Sequence, residues 1–167
     1  MYDIMSKVRD MKKKIYVLGF VFFLVDLISK IFVLGIKSDF PITVIDNFFV
    51  INRVMNEGGA FSLFSGFKIV LIILALVVLY YINKRVLNDV KTNLGVVGVS
   101  MLVGGIIGNL FDRIIYGKVI DFLSFNIFGY MFPIFNVADI FICVGICLLI
   151  IDYIRGERNE DKSFRGR

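Results

Sequence analysis

Four long apolar runs divide this chain, and all of them, although the second is a little short, are predicted to cross a lipid bilayer as helices. The runs cover about residues 15–36, 68–83, 94–115 and 135–154. A hydrocarbon core about 30 Å thick needs roughly 20 mostly apolar residues in helical conformation. The first run is too long and too polar inside for a cleaved signal peptide, so we expect it to persist as a helix. The pattern predicts one integral membrane domain over residues 1–167, all-α in class, with four transmembrane helices.

The segment between the first two runs, about residues 38–66, has a different pattern. Short stretches of Val, Ile, Thr and Phe alternate with polar residues, and Pro41, Asp46-Asn47 and Gly58-Gly59 interrupt them. Such short alternating stretches with turn residues between them favour strands over helix. We therefore expect a small extracytoplasmic β-sheet between the first and second helices. The connection over residues 116–135 is interpreted as a loop.

Basic residues are concentrated on one side of the predicted membrane. Thirteen Lys and Arg lie in the two terminal segments and in the connection between the second and third runs, against four in the other two connections. Cytoplasmic segments carry the excess of positive charge, so both termini are expected in the cytoplasm. The net charge of +5 is then a sign of topology and of contact with membrane lipid, and no nucleic-acid partner is expected.

Composition supports a membrane protein and excludes several kinds of site. Hydrophobic residues make up 58% of the chain, above the roughly 45–50% of soluble domains. Histidine is absent, which excludes a His general base, a Ser-His triad and a His-ligated metal. Cys143 and Cys147 are the only cysteines, so no disulfide framework or thiolate zinc site is expected. They are interpreted as small hydrophobic residues on one helix face.

Polar residues inside the apolar runs all map to the outer half of the bilayer or just above it, because successive spans alternate in direction. Ionisable groups at this depth are expensive, and they usually mark a functional site. The spans contribute Asp26, Lys30, Asn109, Asp112, Arg113, Asn136 and Asp139, the predicted sheet contributes Asn56, and the outer loop contributes Asp121.

Two aspartates brought close together cannot both ionise easily, so one of them keeps a proton. Such a pair can activate water as general base and general acid, and we predict a site around Asp121 and Asp139. Simpler structural interpretations stay open. Asp26 and Lys30 are four residues apart and favour an ion pair. Asp139 could have no role other than to cap its helix. Asp112 and Arg113 could also pair across helices. A small proton-coupled carrier or channel component, with the aspartates as a proton relay, is the alternative function.

Five short motifs occur in the order found in one known family. They are Asp26–Lys30 (DLISK), Asn56–Phe61 (NEGGAF), Gly104–Arg113 (GGIIGNLFDR), Gly117–Phe122 (GKVIDF) and Phe135–Asp139 (FNVAD). With these motifs the chain resembles the lipoprotein signal peptidases (signal peptidase II), which are bacterial intramembrane aspartic proteases. The resemblance extends over nearly the whole chain.

The resemblance implies that Asp121 and Asp139 are the catalytic pair and that Asp26 and Lys30 form a structural ion pair. Residues that would bind substrate or brace the site are Asn56, Gly58, Asn109, Asp112, Arg113, Asn136 and Ala138. The implied substrate is a diacylglyceryl-prolipoprotein, cleaved just before its lipidated lipobox cysteine, with no cofactor and no metal. Globomycin-type cyclic peptides would inhibit the enzyme, and no oligomer is required. The implied location is the bacterial cytoplasmic membrane, with the active site towards its extracytoplasmic face.

Overall fold

The computed structural model describes residues 2–37, 41–57 and 67–165, with side chains described over 8–37, 41–57 and 67–156. The helices are α1 (Tyr2–Gly35), α2 (Lys68–Tyr81), α3 (Leu87–Asp89), α4 (Asn93–Ile115) and α5 (Val137–Arg165). Four helical segments of the described chain are long and apolar enough to span a membrane: Val8–Gly35, Lys68–Asp89, Asn93–Ile115 and Val137–Gly156. The predicted class, four apolar helices with a small antiparallel sheet, is confirmed.

Helix α4 is the central helix of the bundle. In its most apolar window 67% of the residues are buried inside the protein, against 22%, 6% and 11% for the other three spans. Glycines allow this close packing: a Cβ on Gly104 would meet the Gly19 carbonyl oxygen at 2.6 Å, and one on Gly105 would meet the Ala138 carbonyl oxygen at 2.5 Å. Small residues let helix backbones approach closely in membranes. The glycine-rich sequence of α4 therefore brings α1 and α5 against its two sides.

Helix α2 continues through a π-helical turn, Ile82–Val86, into α3. This turn places Ile82 and Leu87, five residues apart, in the same apolar core, where they are 4% and 2% exposed. A π-helical turn brings residues i and i+5 into register, which an α-helix does not. By contrast, none of the side chains in α2 itself is buried.

The sheet has four antiparallel strands in the order β1-β2-β3-β4. They are β1 (Ile42–Ile45), β2 (Phe49–Asn56), β3 (Val119–Ile127) and β4 (Tyr130–Met131). Strands β1 and β2 lie in the segment where a sheet was predicted. The other two strands lie in the connection between α4 and α5, so the interpretation of residues 116–135 as a loop is wrong for Val119–Ile127 and Tyr130–Met131.

A small buried cluster ties this sheet to the membrane helices. Val33 at the end of α1 packs with Ile120 and Phe122 of β3, and all three are at most 5% exposed. Arg53 of β2 also donates to the carbonyl oxygen of Leu34 in the last turn of α1, at 3.3 Å. The sheet is thereby fixed over the end of the bundle at which α1 terminates.

Candidate active site

Asp121 lies on β3 between Ile120 and Phe122, the two residues of that strand that pack against α1. Successive side chains of a strand point to opposite faces, so Asp121 faces away from the cluster that fixes β3 to α1. Its partner across the sheet is Val54, which follows an irregularity in the pairing of β2 with β3 between Ile51 and Val54. Such bulges bend a strand and are common beside active sites, where they reorient a side chain.

Asp139 lies in the first turn of α5 and forms a reciprocal cap with Asn136. The Asp139 backbone N–H donates to Asn136 Oδ1 at 3.0 Å, and the Asn136 backbone N–H donates to Asp139 Oδ2 at 3.1 Å. This is the capping-box arrangement, with Asn and Asp in place of the usual Ser/Thr and Glu. Asp139 therefore does cap its helix, as the structural alternative predicted. The other carboxylate oxygen of Asp139, Oδ1, accepts a hydrogen bond from Asn109 Nδ2 at 2.8 Å.

Three asparagine side chains connect the two carboxylates. Asn56 Nδ2 donates to Asp121 Oδ2 at 2.7 Å, and Asn136 Nδ2 donates to Asp121 Oδ1 at 2.7 Å. The same Asn136 nitrogen donates to Asn109 Oδ1 at 3.0 Å, and Asn109 in turn holds Asp139. All four carboxylate oxygens therefore accept from neutral N–H groups, and in the part of the chain described here neither carboxylate forms an ion pair.

Burial raises the pKa of Asp121 to about 6. The negative charge of Asp139 acts in the same direction, while the hydrogen bonds from Asn56 and Asn136 and the charge of Lys30 act against it. Desolvation disfavours the charged form of a carboxylate, and hydrogen bonds to that form favour it. Asp121 can consequently take up and release a proton near neutral pH, as acid–base catalysis requires.

A second polar cluster lies behind this pair and is centred on Lys30. Its ammonium lies 2.8 Å from Asp26 Oδ2 and 2.9 Å from Asp112 Oδ2, with all three side chains about 1% exposed. It also donates to Asn109 Oδ1 at 3.1 Å. The predicted pair of Asp26 and Lys30 is formed, and Asp112 joins it from α4.

The two carboxylates of the Lys30 cluster also hold the backbone beside the candidate pair. Asp112 Oδ2 accepts from the N–H of Ile120 at 3.1 Å, and Asp26 Oδ1 accepts from the N–H of Ala138 at 2.8 Å. Ile120 directly precedes Asp121, and Ala138 directly precedes Asp139. The cluster thus connects α1 and α4 to both segments that carry the candidate catalytic carboxylates.

Asp121 and Asp139 face a cavity of about 410 Å³. Its polar lining consists of Asn56, Asn109, Arg113, Asp121 and Asp139, and its apolar lining of Val119, Phe132, Pro133, Ile134, Phe135 and Cys143. Sequence reasoning missed the apolar wall as a whole, although Phe132, Pro133 and Ile134 directly precede the FNVAD motif and Cys143 follows Asp139 by one helical turn. The Arg113 guanidinium donates to the Asn109 carbonyl oxygen at 3.3 Å.

The remaining predicted residues divide into two groups. Asp112, Asn136 and Ala138 are buried behind the cavity wall, where they brace the residues that line it. Gly58 lies outside the described residues. Within the described part of the chain, no three His, Cys, Asp or Glu side chains come together as a metal site would need.

Comparison with known proteins gives a consistent result. The Signal peptidase (SPase) II family profile matches residues 18–155. The lipoprotein signal peptidase of Neisseria meningitidis serogroup C is 38% identical over 127 residues, which is 74% of this chain and 77% of the relative. That of Halalkalibacterium halodurans is 34% identical over 153 residues, 89% of this chain and 96% of the relative.

Two solved structures of a bacterial membrane enzyme, obtained by the in meso method, share this fold. The one at 2.3 Å resolution is 32% identical, with a TM-score of 0.70 over 87% of this chain and 90% of that chain. The one at 1.9 Å resolution is also 32% identical, with a TM-score of 0.65 over 83% and 91%. With the family profile spanning most of its length, this chain is a bacterial membrane protein that belongs to the signal peptidase II family.

Proposed function

We propose that this protein is an aspartic endopeptidase that removes the signal peptide from diacylglyceryl-modified prolipoproteins. The observation that carries the proposal is the pair Asp121 and Asp139, held by asparagine amides at one cavity. Their contacts leave both carboxylates free of a fixed positive partner, so that the pair can keep one proton between them at neutral pH. Membership of the signal peptidase II family supports the same reaction.

The reaction requires two proton transfers from such a pair. The ionised carboxylate takes a proton from a water molecule, whose oxygen attacks the carbonyl carbon of the bond to be cleaved. The protonated carboxyl group gives its proton to the carbonyl oxygen, which yields a tetrahedral diol. When the C–N bond breaks, one carboxyl group gives a proton to the leaving nitrogen while the other carboxylate takes a proton from a diol hydroxyl. The new carboxyl end is released, and the pair again holds one proton. Arg113, on the cavity wall, is suited to hold a substrate carbonyl oxygen. No cofactor or metal enters this scheme.

The chemistry of the cavity fits a lipidated substrate. Its polar side carries the two carboxylates, and its apolar side is formed by Phe132, Ile134, Phe135 and neighbouring residues. A diacylglyceryl group would lie along the apolar side with the cleavable bond over the carboxylates. Globomycin-type cyclic peptides would inhibit by occupying this cavity. The proposal requires no oligomer.

The distribution of charge supports an orientation with both termini in the cytoplasm and the cavity towards the extracytoplasmic face. A lipid-anchored substrate would then present its cleavage site at the depth of the carboxylates. The signal helix would reach the cavity laterally from the membrane.

The test is cleavage of a lipidated lipobox peptide by the purified protein, in detergent with a chelator and without ATP. Asp121→Asn and Asp139→Asn should each lower kcat by at least about 10²–10⁴-fold, the usual contribution of a general acid or base. Asp46→Asn is the matched control, because Asp46 is exposed in the turn between β1 and β2, and its activity should be unchanged.

Full activity in either catalytic variant, with normal insertion in the membrane, would refute the catalytic pair. A protein that moves protons across vesicle membranes and leaves the lipopeptide intact would be a carrier, and the peptidase proposal would then be wrong.

A further inference from the structure

Two β-turns at the same end of the sheet differ in chemistry. The turn between β1 and β2 contains Asp46, Asn47 and Phe48, and the turn between β3 and β4 contains Phe128 and Gly129. The turns are neighbours, because the backbone N–H of Asn126 donates to the carbonyl oxygen of Phe48 at 2.8 Å. The first is called the polar turn, because it carries a carboxylate and an amide, and the one beside it, which carries neither, is called the apolar turn.

Each turn places a non-glycine residue in the left-handed backbone region, with φ of 57° at Asn47 and 52° at Phe128. Asparagine adopts this conformation readily, whereas for a bulky residue it is a true outlier. Two-residue hairpin turns with positive φ at both central positions are dominated by Asn, Asp and Gly. Gly129, with φ of 88°, fits that rule and Phe128 does not. The polar turn therefore has the residue that its backbone favours, and the apolar turn does not.

Phe128 is also as exposed as a side chain can be, at 106% relative accessibility. The neighbouring exposed residues are Ile127 (45%), Tyr130 (65%), Met131 (58%) and Phe132 (45%). No charged residue occurs between positions 122 and 138. An unfavourable backbone conformation and a cluster of exposed apolar side chains both indicate a surface that is covered in the working protein.

We propose that this hairpin tip, Ile127–Met131, inserts into the outer leaflet of the bilayer as an interfacial anchor. The bilayer is the occupant that the chain indicates: β3 begins four residues after α4 ends, and α5 begins six residues after β4 ends, so both ends of the hairpin lead directly into membrane spans. Phe and Tyr with no nearby charge suit the boundary between hydrocarbon and headgroups. Asp46 and Asn47 in the adjacent turn remain on the water side of that boundary.

The anchor has a consequence for the cavity, because Phe132 directly follows the tip and is also part of the cavity wall. Insertion of the tip would hold that wall at the lipid surface. The inference itself does not depend on the proposed peptidase activity.

The chain contains no tryptophan, so a single introduced tryptophan reports its own surroundings without background. The experiment uses the full-length Phe128→Trp and Asn47→Trp variants in phosphatidylcholine vesicles with brominated acyl chains, and aqueous iodide as the opposing quencher. Phe128→Trp should be quenched several-fold more by the brominated lipid than Asn47→Trp and should emit at shorter wavelength. Iodide should give the reverse order.

Equal quenching of both variants by iodide would place the tip in water and overturn the proposal. Protection of Phe128→Trp from both quenchers would mean that another protein surface covers the tip, which also overturns it. Tyr130→Trp provides a second probe on the same tip, with the same expected result, if Phe128→Trp fails to fold.

A further variant separates anchoring from packing. Phe128→Asn supplies the residue that the left-handed conformation favours, so the melting temperature in detergent should be unchanged or higher. A lower melting temperature would show that Phe128 stabilises the protein itself, and the anchor would then be refuted.

Discussion

The two carboxylate pairs of this protein differ in what holds them. Asp26 and Asp112 share the ammonium group of Lys30, at 2.8 and 2.9 Å. Asp121 and Asp139 are held by asparagine amides and a backbone N–H, at 2.7 to 3.1 Å. A full positive charge at hydrogen-bond distance stabilises the ionised carboxylate much more than a neutral donor does. The first pair therefore has a buried counter-charge within hydrogen-bond distance, and the second pair has only neutral donors.

The two pairs also have different roles, because one supports the backbone that carries the other. Asp112 binds the backbone N–H of the residue before Asp121, and Asp26 binds that of the residue before Asp139. Asp26 and Asp112 thus fix the backbone that carries Asp121 and Asp139. Lys30 connects the two through its ion pairs with both. Rigid support behind a reactive pair keeps its geometry without restricting its protonation.

Removal of Lys30 should have the largest effect on stability. Lys30→Met leaves two buried carboxylates without their counter-charge, and breaking a buried pair in this way costs about 3–5 kcal/mol. The expected result is a loss of that order in the free energy of unfolding, measured by denaturant titration in mixed micelles.

The matched control for this prediction is Lys118→Met. Lys118 pairs with Glu57 at 2.7 Å, and the two side chains are 44% and 50% exposed. Exposed ion pairs contribute about 0–1 kcal/mol, so the change should be small. If the two variants lost similar stability, the Lys30 cluster would not be the rigid support of the backbone beside Asp121 and Asp139.

Gly108 provides a smaller perturbation of the same cluster. A Cβ at this position would overlap Asp26 Oδ2 and would lie 3.4 Å from the Ala138 Cβ. Gly108→Ala should therefore cost about 1–3 kcal/mol, as overpacking of a close-packed core does, and the melting temperature should fall.

Gly156→Ala is the control, because among the described residues no atom beyond the adjacent residues and the local helix backbone lies within 4 Å of a Cβ placed there. At a helical site without steric conflict, this change should stabilise the protein by about 0.4–1 kcal/mol. A stabilising Gly108→Ala would mean that the buried carboxylate shifts freely, and the proposed rigid support would be refuted.

Sequence patterns predicted the features that depend on local spacing. The pair of Asp26 and Lys30 is four residues apart on one helix, and Asn136 and Asp139 are three apart at a helix start, so their contacts follow from helical geometry. The four spans follow from hydrophobic run length in the same way. The resemblance to a known family added the selection of Asp121 and Asp139 among the carboxylates.

The contacts that depend on distant pairing could not be predicted. Asp121 was assigned to a loop because its strand is defined by pairing with β2, where its partner Val54 lies 67 positions earlier in the chain. The ion pair of Lys30 with Asp112 joins α1 to α4. The relative rotation of these helices is set by glycine packing and not by the spacing of residues along one helix. The apolar cavity wall was missed for the same reason, since Phe132 and Cys143 meet only when the sheet is in place.

The smallest predicted effects are opposite shifts in the pKa of Asp121. Burial is the main cause of this pKa of about 6. The charge of Asp139 also raises the pKa, and the hydrogen bond from Asn56 lowers it. Asp139→Asn removes a negative charge and should lower the pKa of Asp121 below about 6. Asn56→Leu removes a donor to the charged form and should raise the pKa above about 6. The measurement is a pH titration of the Asp121 carboxyl carbon by NMR, assigned with Asp121→Asn.

The same titration has a consequence for stability. The folded pKa of about 6 lies above the ordinary value of 3.8, so the folded state holds the proton more tightly than the unfolded state. The contribution of Asp121 to stability is therefore fully present below pH 3.8 and is lost as the pH rises through about 6. Asn56→Leu should extend this loss to higher pH. If both substitutions moved the pKa in the same direction, the Asn56 amide would not be a group that favours the ionised form of Asp121, and the contrast with the Lys30 cluster would fail.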